Sequence, residues 1–311
     1  MRERKRARGR GIGEFEVTPT PWVGEGSYGV VFPLHGALYI ADDISKEVSE
    51  LRCIVKSEDV GGAVLEVKEM RGSAVFVAGA KLWRVDLRSG GGLEEVCSVP
   101  EGATSVAVAD YLAAEEFDRY SGFWVSKEGG WVCWQVTDES VLSDVPIPIV
   151  PVRDSEPLRQ DRQSHRFVYA GGTNPRVALC VRGEDDGTVH WLKLGKEDEG
   201  EVDWVRGWYL GRVWWIGDVL VVALVNREQS KLRILRFDAP TFQPHLILEE
   251  EDPSWINIVD NLILSSSPST SASPATLDLI YTSEMSGYRQ LYRLTSSTTP
   301  LSTPSPTPSG H

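Results

Sequence analysis

Short runs of apolar or alternating residues recur along this chain, set apart by Gly, Asp and Ser clusters. That is the pattern of strands packed through their faces. It predicts strands over 29–33, 37–41, 51–55, 63–67, 74–78, 81–87, 93–99, 104–109, 130–137 and 144–150. The series continues through 176–181, 188–194, 201–209, 213–216, 219–225, 231–237, 245–248, 256–264, 277–281 and 290–294. No stretch carries the apolar period of a long helix. About twenty short strands at roughly 8–12-residue spacing suit a sandwich, a barrel or a propeller. They are too many for one sandwich, so the expected fold class is all-β, with a propeller favoured on strand number alone.

Two stretches fall outside this pattern. Residues 265–275 (SSSPSTSASPA) are expected to form a disordered loop insertion, and residues 295–311 (TSSTTPLSTPSPTPSGH) a disordered tail. A Ser/Thr/Pro composition cannot bury enough apolar surface to offset the entropy of ordering.

Composition narrows the function classes. The 311 residues are 41% apolar, enough for one large β domain or two ordinary ones. A net charge of −13 argues against nucleic acid or an anionic membrane as the principal partner. Cys53, Cys97, Cys133 and Cys180 are widely spaced without a CxxC, and are expected to be reduced, buried thiols of an intracellular protein. His35, His165, His190, His245 and His311 show no ligand spacing, so no metal or other cofactor is expected. Arg2 to Arg10 is basic but no apolar run follows it, so it is not read as a secretory signal. The longest apolar run, 213–225, is interrupted by Asp218 and is too short to span a bilayer. A soluble, cytoplasmic chain is expected.

Gly24-Glu25-Gly26-Ser27-Tyr28-Gly29-Val30-Val31 fits the G-x-G-x-x-G-x-V phosphate loop of protein kinases. No HRD-type loop, DFG metal site or helical lobe follows, and the glycines are read instead as a hairpin turn. Gly26-Ser27-Tyr28-Gly29 also falls short of a hydrolase nucleophile elbow, because Glu25 stands where G-x-S-x-G needs glycine before Gly26.

Acidic pairs are common here: Asp42-Asp43, Glu94-Glu95, Asp185-Asp186 and the triplet Glu249-Glu250-Glu251. Most such groups are solvated surface. Glu115-Glu116 stands apart by its setting, Ala114-Glu115-Glu116-Phe117-Asp118-Arg119-Tyr120-Ser121-Gly122-Phe123-Trp124. Two carboxylates can both accept from one ammonium, at about 1.5–3 kcal/mol for each charge-assisted bond. Adjacent strand residues point to opposite faces, so aiming both at one ligand needs a turn or short helix. Ala-Ala-Glu-Glu-Phe at 113–117 has that propensity.

The stretch resembles the double-glutamate segment of the dipeptidyl peptidase IV family of serine peptidases, most of all its cytosolic branch, dipeptidyl peptidases 8 and 9. Other segments follow in consistent order. Arg2-Glu3-Arg4-Lys5-Arg6 looks like the branch's arginine-bearing segment, and Thr173-Asn174-Pro175-Arg176 like its T-x-N-P-K strand entry. Trp255-Ile256-Asn257-Ile258 is similar to W-I-N-[IV], and Ser286-Gly287-Tyr288-Arg289-Gln290-Leu291-Tyr292-Arg293-Leu294 to T-G-F-x-H-L-Y-K-[IV]. Buried aromatics such as Trp191, Trp204, Trp208, Trp214, Trp215 and Trp255 are read as core rather than as ligand platforms.

The resemblance implies a basic arginine segment over 1–12 and a propeller over 13–294, with about five of the family's eight blades. It implies that Glu115 and Glu116 hold the N-terminal ammonium of a peptide and that Arg6 contacts the same substrate; a flexible basic tail is the alternative reading of Arg6. Asp118 and Arg119 are expected to fix the turn. The implied partners are a peptide with a free N-terminus and an α/β-hydrolase domain of the same family. That domain is expected to be missing, since no G-x-S-x-G with a downstream Asp and His occurs. Regions upstream of Met1 and the later blades are expected to be missing as well. Departures are Phe123-Trp124-Val125 in place of a tryptophan pair and a weak match over 10–113. A non-catalytic interaction module is the alternative function.

Overall fold

Strands pair with their sequence neighbours, antiparallel, in a succession of meanders. The computed structural model describes residues 12–47, 50–147, 163–185, 187–195, 205, 207–258, 260, 263–267 and 276–297. The first sheet is β1 (Glu16–Pro19), β2 (Tyr28–Leu34), β3 (Ala37–Ala41) and β4 (Leu51–Val55), in that order. The second is β5 (Val67–Met70), β6 (Ser73–Ala78), β7 (Lys81–Asp86) and β8 (Glu94–Cys97). Next along the chain come β9 (Ser105–Val106), the one helix among the described residues, α1 (Tyr111–Glu116), β10 (Phe123–Ser126) and β11 (Trp131–Asp138). After a separate hairpin, β12 (Ser143–Ile147) and β13 (Gln163–Phe167), follow β14 (Arg176–Gly183) and β15 (Val189–Trp191). The third sheet runs β10-β11-β14-β15, with β9 also on β11. The fourth is β16 (Trp208–Ile216), β17 (Val219–Asn226), β18 (Lys231–Asp238) and β19 (Pro244–Glu251). The fifth is β20 (Ile263–Ser267), β21 (Thr276–Ser283) and β22 (Gln290–Ser297).

The strand period explains how these sheets stack. Successive side chains leave a strand on opposite faces, so a strand covered on both sides must be apolar throughout. In β17 every residue is buried. Leu220, Val222 and Leu224 pack with Leu179, Val181 and Cys133 of the third sheet, while Val219, Val221 and Ala223 pack with Leu277, Leu279 and Tyr281 of the fifth. β6 works the same way: Ala74, Phe76 and Ala78 meet Val31, Leu38 and Ile40 of the first sheet, and Val75 and Val77 meet Phe123 and Trp134 of the third. The second, third and fourth sheets are thus each covered on both faces by their chain neighbours, which is the blade arrangement of a β-propeller. The all-β expectation holds.

One strand is interrupted. β10 pairs with β11 at residues 131–134, and β9 pairs with the same edge of β11 at Val136 and Thr137. Between them the chain leaves the sheet over 107–122. The ladder is carried up to the gap by Ala107 N–H to the Gln135 carbonyl and Gln135 N–H to the Gly122 carbonyl, both 2.8 Å. A bridge between Val108 and Ser121 closes the neck of the excursion. Gly122 is required there, because a Cβ would lie 2.3 Å from the backbone nitrogen of Val108.

Several expectations change. The glycine stretch 24–29 is the β1–β2 hairpin connection, with Gly26 at φ +75° and Thr20 N–H bonded to the Ser27 carbonyl at 2.9 Å. The strand expected at 63–67 starts only at Val67. The end of the run 201–209 joins the run 213–216 in β16, which starts at Trp208, because Gly211 makes a bulge rather than a break, with the register shifting between Leu210 and Arg212. β1, β10 and β13 were not anticipated. Backbone pairing carries β20 and β22 three residues into the stretches expected as loop and tail, so Ser265 and Thr295 belong to the fifth sheet; residues 268–275 and 298–311 lie outside the described residues. The cysteines are free thiols, but Cys53 is exposed, since it sits on the edge strand β4 facing away from the second sheet. Burial pushes the Cys97 thiol up to about 12 and raises Cys133 and Cys180 as well. Trp255 is 61% exposed rather than core, and Trp204 lies outside the described residues.

Candidate functional site

The excursion between β9 and β10 carries the double glutamate. Asp110 caps α1: its backbone is extended (φ −71°, ψ 168°) and its carboxylate accepts from the Ala113 N–H at 3.1 Å. Ala113 and Ala114 are buried inside the short helix. Glu115 and Glu116 are its last two residues, so a rotation of about 100° separates their directions in place of the 180° a strand would impose. Glu115 is half-buried and Glu116 exposed. The chain then turns through a left-handed Asp118 (φ +49°), a conformation that Asp adopts more readily than most residues, and the Arg119 N–H returns to the Ala113 carbonyl at 3.0 Å.

Three contacts hold the excursion in place. Phe117 is buried with its ring 5.2 Å from that of Tyr209 on β16. Arg119, also buried, donates from Nε to the Leu210 carbonyl at 3.2 Å and from Nη1 to the Ser121 carbonyl at 2.9 Å. Its Nη2 lies 3.7 Å from the Asp110 carboxylate. Burial draws the Arg119 pKa down to about 10, against the pull of Asp110, so the side chain is a cation at neutral pH. On the other side of the neck, Lys68 of β5 donates to Ser121 Oγ at 2.6 Å and to the Phe123 carbonyl, with its ammonium 4.6 Å from the Phe123 ring. The segment is therefore tied to the second sheet by Lys68 and to the fourth by Arg119.

Gln135 of β11 sits at the ladder gap and completes the base. Its Nε2 donates to Asp110 Oδ2 at 3.0 Å and to Thr137 Oγ1 at 2.8 Å. Asp110 thus joins the helix cap, the buried arginine and the sheet beneath. Beyond the helix end lies an open cleft lined by Glu116, Phe117, Tyr169, Asn174, Tyr209 and Arg227.

Of the residues expected to act together, Glu115, Glu116, Asp118 and Arg119 share one excursion; Arg6 lies outside the described residues. Asp110, Gln135, Lys68 and Arg227 were not anticipated. Asp110 had a readable signal, a capping residue three positions before the first helical alanine pair. Gln135 had one too, as an amide inside the apolar run Trp131–Asp138. Lys68 and Arg227 reach the site only through tertiary packing. Among the described residues no group of three His, Cys, Asp or Glu side chains could hold a metal ion, and no helix is long and apolar enough to cross a membrane.

Comparison with known proteins gives a consistent result. The family described as the dipeptidyl peptidase IV N-terminal region matches residues 39–310. Human dipeptidyl peptidase 8 is 25% identical over 238 residues, and the mouse protein of the same name 26%. Each match takes in 65% of this chain and only 26% of the relative, so the chain spans about a quarter of those proteins. Among solved structures, dipeptidyl peptidase 4 of Porphyromonas gingivalis superposes with a TM-score of 0.65 at 17% identity, over 91% of this chain and 36% of that one. The described residues contain no α/β-hydrolase layer. With most of its length matched by the family and its sheets stacked as propeller blades, the chain belongs to the dipeptidyl peptidase IV family, as part of its N-terminal β-propeller region.

Proposed function

We propose that this chain is the substrate-anchoring propeller portion of a dipeptidyl peptidase IV-like serine peptidase, which releases dipeptides from peptide N-termini. Glu115 and Glu116 receive the substrate's N-terminal ammonium, and a nucleophilic serine on an α/β-hydrolase domain of the same family cuts after the second residue. Two extended residues span about 7 Å, which sets the product length once the N-terminus is fixed. Arg6 is assigned to the same substrate by resemblance. Arg119 fixes the excursion from behind, and Asp118 shapes the turn. A cytoplasmic location goes with the relationship to the cytosolic branch.

The observation that carries this reading is the interrupted strand. A sheet gives up ladder positions to project α1 beside an open cleft, and the two glutamates stand at its tip with Glu116 lining that cleft. An exposed acidic pair on an ordinary loop would need neither the buried Arg119–Asp110 contact nor the Gln135 brace.

Calorimetric titration of the chain with a free Gly-Pro peptide and with its N-acetylated form tests the assignment. The free peptide is expected to bind at least tenfold more tightly, and Glu115→Gln or Glu116→Gln to weaken it by about tenfold or more while leaving thermal unfolding unchanged. Equal binding of the acetylated peptide would remove the anchor and leave a non-catalytic interaction module. The chain by itself is expected to release no chromophore from a Gly-Pro amide, because anchoring without an activated nucleophile gives binding only; release blocked by a serine-directed inhibitor would contradict this.

A further inference from the structure

A second pocket lies between the fourth and fifth sheets, away from the excursion. It is a small open pocket of about 40 Å³, with apolar walls supplied by Trp214, Leu232, Ile234 and Ile256. Glu250 and Tyr281 line it as well, and Trp255 stands among its lining residues with most of its surface in solvent.

The acidic triplet 249–251 explains the carboxylate. On a strand the outer two side chains share one face, and there Glu249 pairs with Arg233 and Glu251 with Lys231. Glu250 points the other way and is only 8% exposed. Ser283 Oγ donates to its Oε1 at 2.6 Å, and its second oxygen has no hydrogen bond among the described residues. Tyr281 is 3% exposed, and its phenolic oxygen has no hydrogen-bond partner among the described residues. A buried hydroxyl left unpaired beside a buried carboxylate is costly, and each group can accept an N–H.

The other charges of the pocket are already engaged. Glu284 accepts from Asn257 Nδ2 at 2.9 Å and pairs with Arg289 at 3.4 Å. Asp252 accepts from the Ser254 N–H at 2.7 Å. A metal ion is excluded by the donor set, since among the described residues no three ligating side chains converge. What remains is one carboxylate oxygen and one phenol oxygen above hydrocarbon walls. A compact cation with several N–H donors and an alkyl stem matches both parts.

We propose that the pocket between the fourth and fifth sheets binds a primary alkylammonium, with Glu250 as counter-ion, Tyr281 as second acceptor, and Trp214, Ile234 and Ile256 around the stem. The ammonium donates a charge-assisted bond to Glu250, and the stem covers apolar wall that the open mouth leaves to water. The same chemistry is offered by a free amine and by a lysine side chain of a peptide. The site is independent of Glu115 and Glu116.

The test is calorimetric titration of the chain with n-butylammonium, with n-butanol as the uncharged control and acetyl-lysine-methylamide as the lysine source. Butylammonium is expected to bind with a dissociation constant of about 1 mM, a reasonable value for so few heavy atoms. Butanol should bind at least tenfold more weakly. Glu250→Gln should weaken the amine tenfold or more, and Tyr281→Phe several-fold, whereas Glu251→Gln should change nothing. Acetyl-lysine-methylamide binding as well as butylammonium assigns the site to lysine side chains, and binding of butylammonium alone assigns it to free amines. Absence of butylammonium binding at about 50 mM, fifty times the expected constant, or equal binding by Glu250→Gln, overturns the proposal; the glutamine variant retains an acceptor for Ser283, so loss of fold does not mimic loss of the site.

Discussion

Arg119 is the residue on which the excursion's position depends most, and the cost of losing it can be worked out. In Arg119→Met the side chain keeps its bulk against Trp124, whose ring lies 5.7 Å from the guanidinium carbon, but the charge and its donors go. The carbonyls of Leu210 and Ser121 lose a cationic donor each, at 3.2 and 2.9 Å, and the Asp110 carboxylate keeps its cap and its Gln135 bond without a cation nearby. Bonds to a charged donor contribute about 1.5–3 kcal/mol each, and the desolvation of arginine, which draws its pKa down, offsets part of that. Breaking one partner of a buried pair costs about 3–5 kcal/mol in sum. With an m-value of about 3 kcal/mol/M, the urea midpoint followed by tryptophan fluorescence falls by about 1–1.7 M. Asp110→Asn preserves the cap acceptor while removing the charge. The double variant should therefore lose about 1–3 kcal/mol less than the two single losses added together. A midpoint shift below about 0.3 M for Arg119→Met, or strict additivity in the cycle, would refute the argument, because either result means Arg119 is not a buried cation balanced by Asp110.

Two further outcomes follow from single positions. Gly122→Ala should destabilise the chain by about 1–3 kcal/mol or more, since the added methyl meets the Val108 backbone, which cannot swing aside as a side chain could; chemical denaturation measures it, and an unchanged midpoint would show that the neck is open in solution. Glu250→Gln should stabilise the chain at neutral pH. Burial, reinforced by Asp252 and Glu284 and opposed by Ser283, raises the Glu250 pKa above its unfolded value, so its ionised form is a liability above that pKa and the penalty disappears as both states protonate. The stabilisation should therefore be seen near pH 7 and vanish by about pH 4; a gain of equal size at both would exclude titration as its cause.

The sequence was most legible where two-sided burial demands it. Val219–Asn226 and Ser73–Ala78 read as strands because their neighbours cover both faces, leaving continuous apolar runs. The helical placement of the double glutamate was legible as well, since Ala-Ala-Glu-Glu-Phe favours helix and a strand would splay the two carboxylates. Less legible was everything decided by pairing at a distance. Phe123–Ser126 looks like the tail of an aromatic motif until β11 is placed beside it, and Gly211 looks like a strand break until the bulge is seen. Glu250 shows the limit most clearly. Its triplet reads as surface, and only strand alternation with both outer members paired to cations turns the middle one inward. The Lys68 and Arg119 tethers, spanning three sheets, left no local trace beyond their charge.

The interrupted strand has a consequence for how such a protein can change. Because Val108 and Ser121 close the neck and the ladder resumes at Gly122, the blade's register is set below the excursion rather than by it. The chain between these two residues behaves as a graft on a finished stem. Doubling the length of such an insert costs only about 0.6 kcal/mol of closure entropy, little beside the four inter-sheet cores that hold the blades together. New recognition chemistry can therefore be swapped in at this point, longer or shorter, while the scaffold beneath keeps its pairing.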